Sequence, residues 1–320
     1  MRPFDYERVT DLRHVDQPGD RMIAGGTNLL DLMKLEVETP RRLLDISHVG
    51  QNRITVEGDG LRIGALVTNA DCAADPRIRA DYPLLSKAIL AGASPQLRNK
   101  ATTGGNLCQR TRCQYFMTLD TRCNKREPGS GCDALDGVNR NHAILGTSEA
   151  CIATYPGDMA VALTALDATV EVLGRNGPRQ IPVAEFHRLP GDDPSRDNVL
   201  EPGEVITGVT LPRPVAGRQI YRKIRDRSSY AFALVSVAAL IEVTDGRIAR
   251  AALAFGGLAH KPWRDPEVEA ILTGQPAAPA LFDRAADALL ASAEGRGDNN
   301  FKIPLARRAL AAVLAEATRD

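Results

Sequence analysis

At 320 residues, with 43% hydrophobic content and only 4% aromatics, the chain carries enough aliphatic material for about two packed domains. Forty basic and forty acidic residues cancel, which argues against nucleic acid or an anionic membrane as the main partner. The charged start MRPFDYERVT holds no apolar export segment, and no run approaches the roughly 18 apolar residues of a spanning helix.

In chain order, RMIAGGTNLLDLMKLEVETPRRLLDIS reads as a strand over 22–24, a glycine turn, a helix opened by Asn28 as N-cap, and a strand over 42–46. GLRIGALVTNADCAADPRI repeats the pattern, with a strand over 61–63 and a helix opening at Asn69 or Asp71. YPLLSKAILAGASPQLRNKAT adds a helix ended by Gly92 and Pro95. Residues 108–150 show neither helical nor strand period, which in a compact domain points to a functional insertion. A helix over 159–166 and a strand over 169–173 follow. The Pro-, Gly- and Asp-rich residues 174–220 read as a connector. Beyond it, ALVSVAALIEV and RIARAALAFGGL read as paired strands, with helices over 266–272, 280–293 and 304–317. The fold class is therefore α+β. The expected division is 1–57 and 58–175 as two parts of an N-terminal domain, with the insertion at 108–151, then a connector over 176–220 and a C-terminal domain over 221–320.

Two small-residue turns, AGGTN (24–28) and ATTGGN (101–106), share one logic. Glycine lets backbone N–H groups converge on an anion, so a pair of such turns suits one phosphate-rich ligand held from both sides. Neither is a G-x-G-x-x-G or Walker A loop, and each alone is an ordinary tight turn. Cysteine is clustered: Cys72 stands alone, while Cys108, Cys113, Cys123, Cys132 and Cys151 follow the spacing C-x4-C-x9-C-x8-C-x18-C. No C-x2-C pair occurs, so zinc fingers and ferredoxin patterns fit poorly. Spacing alone leaves open an iron–sulfur cluster, a zinc site, and cysteines that are unligated or disulfide-bonded. The nearby Arg110, Arg112, Arg122, Lys125 and Arg126 either offset the charge of a thiolate-ligated cluster or are simply a solvated loop. Cys72, on a predicted helix, reads as a core residue. His14, His48, His142, His187 and His260 are scattered and read as structural, and no nucleophile or acid–base pair stands out as catalytic.

The stretches AGGTNLLDLM, LRIGALVTNADC, QLRNKATTGGNLCQ, PGDMAVALTALDA and YRKIRDRSSYAFALVSVA, in this order, resemble the FAD-binding medium subunit of the molybdenum hydroxylase (xanthine dehydrogenase) family across nearly the whole chain. That resemblance implies a two-part FAD-binding domain of the vanillyl-alcohol-oxidase type (PCMH) and a C-terminal flavoprotein domain with a small antiparallel sheet. Most of the family passes quickly from the second glycine turn to the next acidic segment, whereas here the cysteine-bearing residues intervene. Such an insertion resembles the flavoprotein subunits of 4-hydroxybenzoyl-CoA reductase and of bacterial three-subunit aldehyde oxidoreductases, which carry an extra [4Fe–4S] cluster. QRTRCQYF, CNKREPGSGC and GTSEACIAT most resemble the periplasmic aldehyde oxidoreductase branch.

By that resemblance Cys113, Cys123, Cys132 and Cys151 are the cluster ligands. Ile23, Ala24, Gly25, Gly26, Thr27, Asn28 and Leu29 wrap the FAD pyrophosphate and ribitol, and Thr102, Gly104, Gly105 and Asn106 close the other side. Asp158 binds the cofactor, although Gly157 replaces the usual Ser. Ile206 and Lys223 line the flavin ring, and Tyr230, beside Ala231 where relatives carry Asp, either shields the ring or is a core tyrosine. The implied function is electron transfer within a molybdenum-dependent aldehyde oxidoreductase heterotrimer. The molybdenum cofactor sits on a large partner subunit and [2Fe–2S] clusters on a small one, and electrons leave through FAD to an external acceptor. Location is periplasmic by co-export with a partner, or cytoplasmic. Competing readings are the flavoprotein subunit of an acyl-CoA reductase or of a xanthine dehydrogenase-like enzyme, a self-sufficient flavin dehydrogenase resembling UDP-N-acetylmuramate reductase, and a zinc-stapled assembly module without enzymatic activity.

Overall fold

The computed structural model describes residues 1–12 and 20–319; His14 lies outside them. The chain opens with β1 (Asp5–Arg8), β2 (Asp20–Ile23), α1 (Leu29–Lys34) and β3 (Arg42–Asp45). The three strands run parallel with β3 in the middle, and α1 turns Leu32 and Met33 inward. This is the β–α–β unit that the first glycine turn and its apolar helix lead one to expect.

Next come a hairpin, β4 (Ile54–Glu57) and β5 (Gly60–Gly64), and a run of short helices: α2 (Asn69–Ala74), α3 (Pro76–Asp81), α4 (Pro83–Ala91), α5 (Pro95–Arg98) and α6 (Thr103–Leu107). Punctuation in the sequence explains their shortness. Proline opens α3, α4 and α5, where its missing N–H has no intrahelical partner to lose. The side chains of Thr68, Asp75, Ser94 and Thr102 cap α2, α3, α5 and α6. Cys72 on α2 is fully buried, as a core cysteine should be.

The insertion holds one four-residue helix among the described residues, α7 (Gln114–Met117), and is otherwise turns and isolated bridges. It is nonetheless well tied. Arg126 donates to the carbonyls of Tyr115, Phe116, Leu119 and Thr121, gathering the loop around one guanidinium. Ile144 and Leu145 plunge into the C-terminal core, and their N–H groups donate to the carbonyl of Leu258.

After it come α8 (Asp158–Ala165), β6 (Thr169–Gly174), β7 (Gly177–Pro182), α9 (Val183–Phe186) and β8 (Val205–Leu211). Every residue of α8 is buried, including the polar Asp158 and Thr164 at either end of an apolar run. β8 is the middle strand of an antiparallel sheet ordered β4-β5-β8-β6-β7. The expected connector over 176–220 is thus corrected: it supplies the central strand of the largest sheet. VITGVTL lies between RLPGDDPSRDN and LPRPVAG, whose breakers mask it.

The chain ends with β9 (Arg218–Ile224), β10 (Val235–Thr244), β11 (Arg247–Gly256), α10 (Pro266–Leu272), α11 (Pro279–Leu290) and α12 (Lys302–Ala317). Asp245 and Gly246, both at positive φ (51° and 70°), join β10 to β11 in the way a two-residue hairpin favours. Pro304, expected to start the last helix, sits in the first turn of α12, where helix N–H groups are free anyway. Alternation along β10 divides the molecule: Val237, Ala239 and Ile241 face the core under α11 and α12, while Ala238 and Leu240 face the core around α8. One α+β architecture results, with the C-terminal sheet as the wall shared by both cores. Each fully buried aliphatic side chain of valine size or larger contributes about 1.5–3 kcal/mol there.

Candidate functional site

A cleft of about 670 Å³ opens where the N-terminal turns, the insertion and the β9–β10 connection meet. The two glycine turns lie back to back beneath it. A methyl group on Gly25 would stand 1.8 Å from the carbonyl oxygen of Lys100, so only glycine permits this approach, and Gly26 needs its positive φ of 71°. Thr102 accepts a hydrogen bond from the Gly105 N–H at 3.2 Å and sets the start of α6.

Of the residues assigned to FAD, Thr27, Asn28, Gly105, Asn106, Asp158, Lys223 and Tyr230 line this cleft. Ile23, Ala24, Gly25, Gly26, Leu29, Thr102 and Gly104 stand outside that lining and shape the turns from behind. Asn28 departs from its expected part as a side-chain cap of α1. Its Oδ1 accepts the Arg110 N–H at 2.9 Å, tying the first turn to the root of the insertion, and its Nδ2 is buried with no partner. A buried donor left unpaired costs roughly 1–3 kcal/mol, so this one suits an acceptor supplied by a ligand. Ile206 also stands outside that lining. It is 6% exposed and packs in the core behind Gly104, because β8 turns that face inward. Tyr230 is 58% exposed at the rim, at a φ of 50°, with the Arg227 guanidinium over its ring at 5.6 Å. It is not a core tyrosine.

Asp158 and Lys223 find each other. Lys223 Nζ donates to Asp158 Oδ2 at 2.8 Å and to the Ala91 carbonyl at 3.1 Å, while Tyr221 donates to Asp158 Oδ1 at 2.6 Å. The pair is nearly closed off from solvent, with side chains 4% and 8% exposed. Burial, with the Asp158 charge alongside, pushes the Tyr221 hydroxyl well above its ordinary range, so it stays a donor.

Asn69, Gln109 and Arg112 in the cleft carried no sequence signal for a ligand. The first two flank Asn106, which donates to Asn69 Oδ1 at 2.8 Å and accepts from Gln109 at 2.9 Å, a chain of amides across the floor. Arg112 was visible only as one of five basic residues. Burial lowers it, its Nη1 donates to the Arg110 carbonyl at 2.7 Å, no carboxylate among the described residues forms an ion pair with it, and it lies over the Phe232 ring at 5.4 Å. The other four are otherwise engaged. Arg110 pairs with Glu38 and Asp197, each at 2.7 Å; Lys125 also reaches Asp197 at 2.7 Å; Arg122 pairs with Asp133 on the surface; Arg126 holds carbonyls.

Beside the cleft lies a small second cavity, lined by Cys113, Cys123, Cys132 and Cys151 together. Residues separated by up to 38 positions in the sequence, from 113 to 151, thus converge, with Cys123 and Cys132 opposed as an isolated antiparallel bridge. The Ala153 N–H donates to Cys151 Sγ at 3.4 Å, and nearby backbone N–H groups favour the thiolates of Cys113 and Cys132. Burial outweighs this and pushes the free thiols up, Cys113 to about 12 and Cys151 to about 11. Cys113 lines both cavities, and its Sγ lies 3.1 Å from His142 Nε2. Among the described residues, no three His, Cys, Asp or Glu side chains are drawn close enough to hold a single metal ion.

Residues 1–214 match the family described as FAD binding domain in molybdopterin dehydrogenase, and residues 219–317 the CO dehydrogenase flavoprotein C-terminal domain. The chain is 55% identical, over 325 aligned residues covering 99% of both, to the aldehyde oxidoreductase FAD-binding subunit PaoB of Escherichia coli (strain K12). It is 26% identical to the glyceraldehyde dehydrogenase medium chain of Sulfolobus acidocaldarius, covering 85% of this chain and 82% of that one. The carbon monoxide dehydrogenase structure from Hydrogenophaga pseudoflava superposes with a TM-score of 0.77 at 24% identity, covering 98% and 96% of the two chains. Quinoline 2-oxidoreductase from Pseudomonas putida 86 superposes with a TM-score of 0.76 at 23%, covering 99% and 97%; these two structures speak to the fold. The two glycine turns, the cleft above them and the full-length match agree: this chain belongs to the molybdopterin dehydrogenase (molybdenum hydroxylase) family of oxidoreductases, as an FAD-binding subunit.

Proposed function

We propose that this chain is the FAD- and [4Fe–4S]-containing electron-transfer subunit of a heterotrimeric, molybdenum-dependent aldehyde oxidoreductase. In this role it takes electrons from a large molybdenum subunit and a small [2Fe–2S] subunit and delivers them to an external acceptor. The observation that carries the reading is the 55% identity, over 99% of both chains, to a protein named as the FAD-binding subunit of an aldehyde oxidoreductase. The donor sets support both cofactors. A buried, unpartnered Asn28 amide above two glycine turns in backbone contact suits a pyrophosphate, and four cysteines around one cavity suit a cubane.

When bound, FAD supplies the reversible two-electron chemistry that no side chain here offers. The residues of this chain hold and shield. Thr27, Asn28, Gly105 and Asn106 present polar groups to the cleft, and Arg112 adds a positive charge to its wall. The Tyr221–Asp158–Lys223 set fixes the junction of α8 with the C-terminal sheet, and Tyr230 stands at the mouth. The same reading puts the assembly in the periplasm through co-export on a partner, with the cytoplasm as the alternative; cell fractionation separates the two.

Purified chain should be yellow-brown, release FAD on denaturation, and contain about four irons. Co-expressed with a molybdenum subunit and a [2Fe–2S] subunit, it should lose its flavin absorbance when an aldehyde is added without air. A colourless protein containing zinc would overturn the proposal.

A further inference from the structure

Cys113 differs from the other three cysteines of its cavity in two respects. It is the one that also lines the flavin cleft, and among the described residues it alone has a side chain hydrogen-bonded to its sulfur. That side chain is His142, 5% exposed, with Nε2 at 3.1 Å from Sγ and its ring edge on the cleft wall.

The main chain of His142 is held on both sides. The His142 backbone N–H donates to the Asn139 carbonyl at 2.8 Å. Its carbonyl accepts from Lys302 Nζ at 2.9 Å, and Lys302, fully buried on α12, also donates to Gly257 at 2.8 Å on the cleft wall. Asn139 in turn donates to the Arg296 carbonyl at 2.7 Å. A residue of the insertion is therefore positioned by the C-terminal domain. A ligating thiolate can only accept, so Nε2 carries the proton in that contact and Nδ1, buried without a partner, is left with its lone pair.

We propose that His142 is a positioning residue for the cluster: it donates a hydrogen bond to the Cys113 thiolate, orients that ligand, and raises the reduction potential of the cluster. The inference rests on the [4Fe–4S] reading above. Its physical basis is that a donor at a ligating sulfur draws off negative charge and so favours the form carrying the extra electron. His142 does so from the side that faces the flavin, making Cys113–His142 the contact that joins the two cavities.

The test uses the full chain and three proteins: native, H142L and H142Q. Iron and FAD are quantified, and the cluster is titrated reductively with electron paramagnetic resonance as the readout. H142L should keep its iron and show a more negative midpoint, and H142Q, which restores an N–H donor, should move the midpoint back toward native. Iron lost from H142L but kept in H142Q also supports a donor that orients Cys113. An iron-replete H142L with the native midpoint overturns the inference, as does iron loss from both variants, since a replaceable donor cannot explain it. Native protein without iron would instead remove the cluster reading itself, and the two failures are distinguishable at the first measurement.

Discussion

The flavin cleft and the cysteine cavity touch at Cys113, yet they are built in opposite ways. The cleft draws its walls from Thr27 to Gly257, across both glycine turns, the insertion and the C-terminal sheet. The cavity takes every wall from residues 111 to 153. A site of the first kind exists only once the whole chain has folded, so its geometry depends on both cores. A site of the second kind is encoded in one segment and depends on the rest for anchorage, through Arg126, Ile144 and Leu145. Separate construction implies that either site can be damaged alone.

The sharpest way to break that claim is Cys123→Ser. Iron should fall from about four atoms per chain to near none, while FAD released on denaturation stays at the native level. Full iron content would remove Cys123 from the ligand set, and loss of FAD along with iron would show that the sites are not independent. Asp158→Asn attacks the other side. It leaves Lys223 charged, nearly solvent-free and without its counter-ion, which costs about 3–5 kcal/mol when a buried pair is broken. The urea midpoint should drop sharply and FAD retention with it, whereas protein that does unfold late should still hold its iron. Unchanged stability would mean that water reaches Lys223.

The same contrast explains what could be read from the sequence. Cysteine spacing exposed a cluster of five, because residues from one segment leave a local pattern, and the resemblance picked out the four that line the cavity. Spacing could not choose between metals. For the cleft, the glycine turns were legible, and Asp158 and Lys223 came only by resemblance. Asn69, Gln109 and Arg112 were missed, being ordinary polar residues that acquire meaning from partners far along the chain. Ile206 came only by resemblance, because its register within VITGVTL depends on β5 and β6, which sequence patterns cannot align. His142 was read with the other histidines as structural. Nothing in RNHAIL announces a cysteine twenty-nine residues away.

A milder probe concerns two buried histidines outside both linings. His187, tilted at 49° against Tyr155 with ring centroids 4.2 Å apart and bonded to the Leu107 carbonyl, and His260, bonded to the Arg188 carbonyl, are both pushed down to about 4 by burial. The unfolded chain protonates these imidazoles below about pH 6.5, while the fold holds them neutral to about 4. Their contribution to stability is therefore full above pH 6.5 and declines as pH falls toward 4. Urea midpoints measured at pH 7.5 and pH 5 should fall with acid, and His260→Gln should flatten that dependence. An equal slope in the variant would place the acid sensitivity elsewhere.

The smallest effect expected is from Arg122→Ala, and it is informative for that reason. Arg122 and Lys125 stand three residues apart in the loop that carries Cys123, and sequence alone treats them as one basic patch. Their environments are opposite. Lys125 is 1% exposed and bound to Asp197 and the Pro194 carbonyl, whereas Arg122 is 69% exposed with Asp133 as its partner. A charge pair in water gains little from Coulomb attraction and loses that gain to side-chain ordering and salt. Arg122→Ala should leave the thermal midpoint and iron content at native values, while Lys125→Met, which strips a buried Asp197 of one of its two cations, lowers both. If Arg122→Ala released iron, long-range charge rather than the anchored backbone would be holding the cavity, and the segment would not be the self-contained site that its geometry describes.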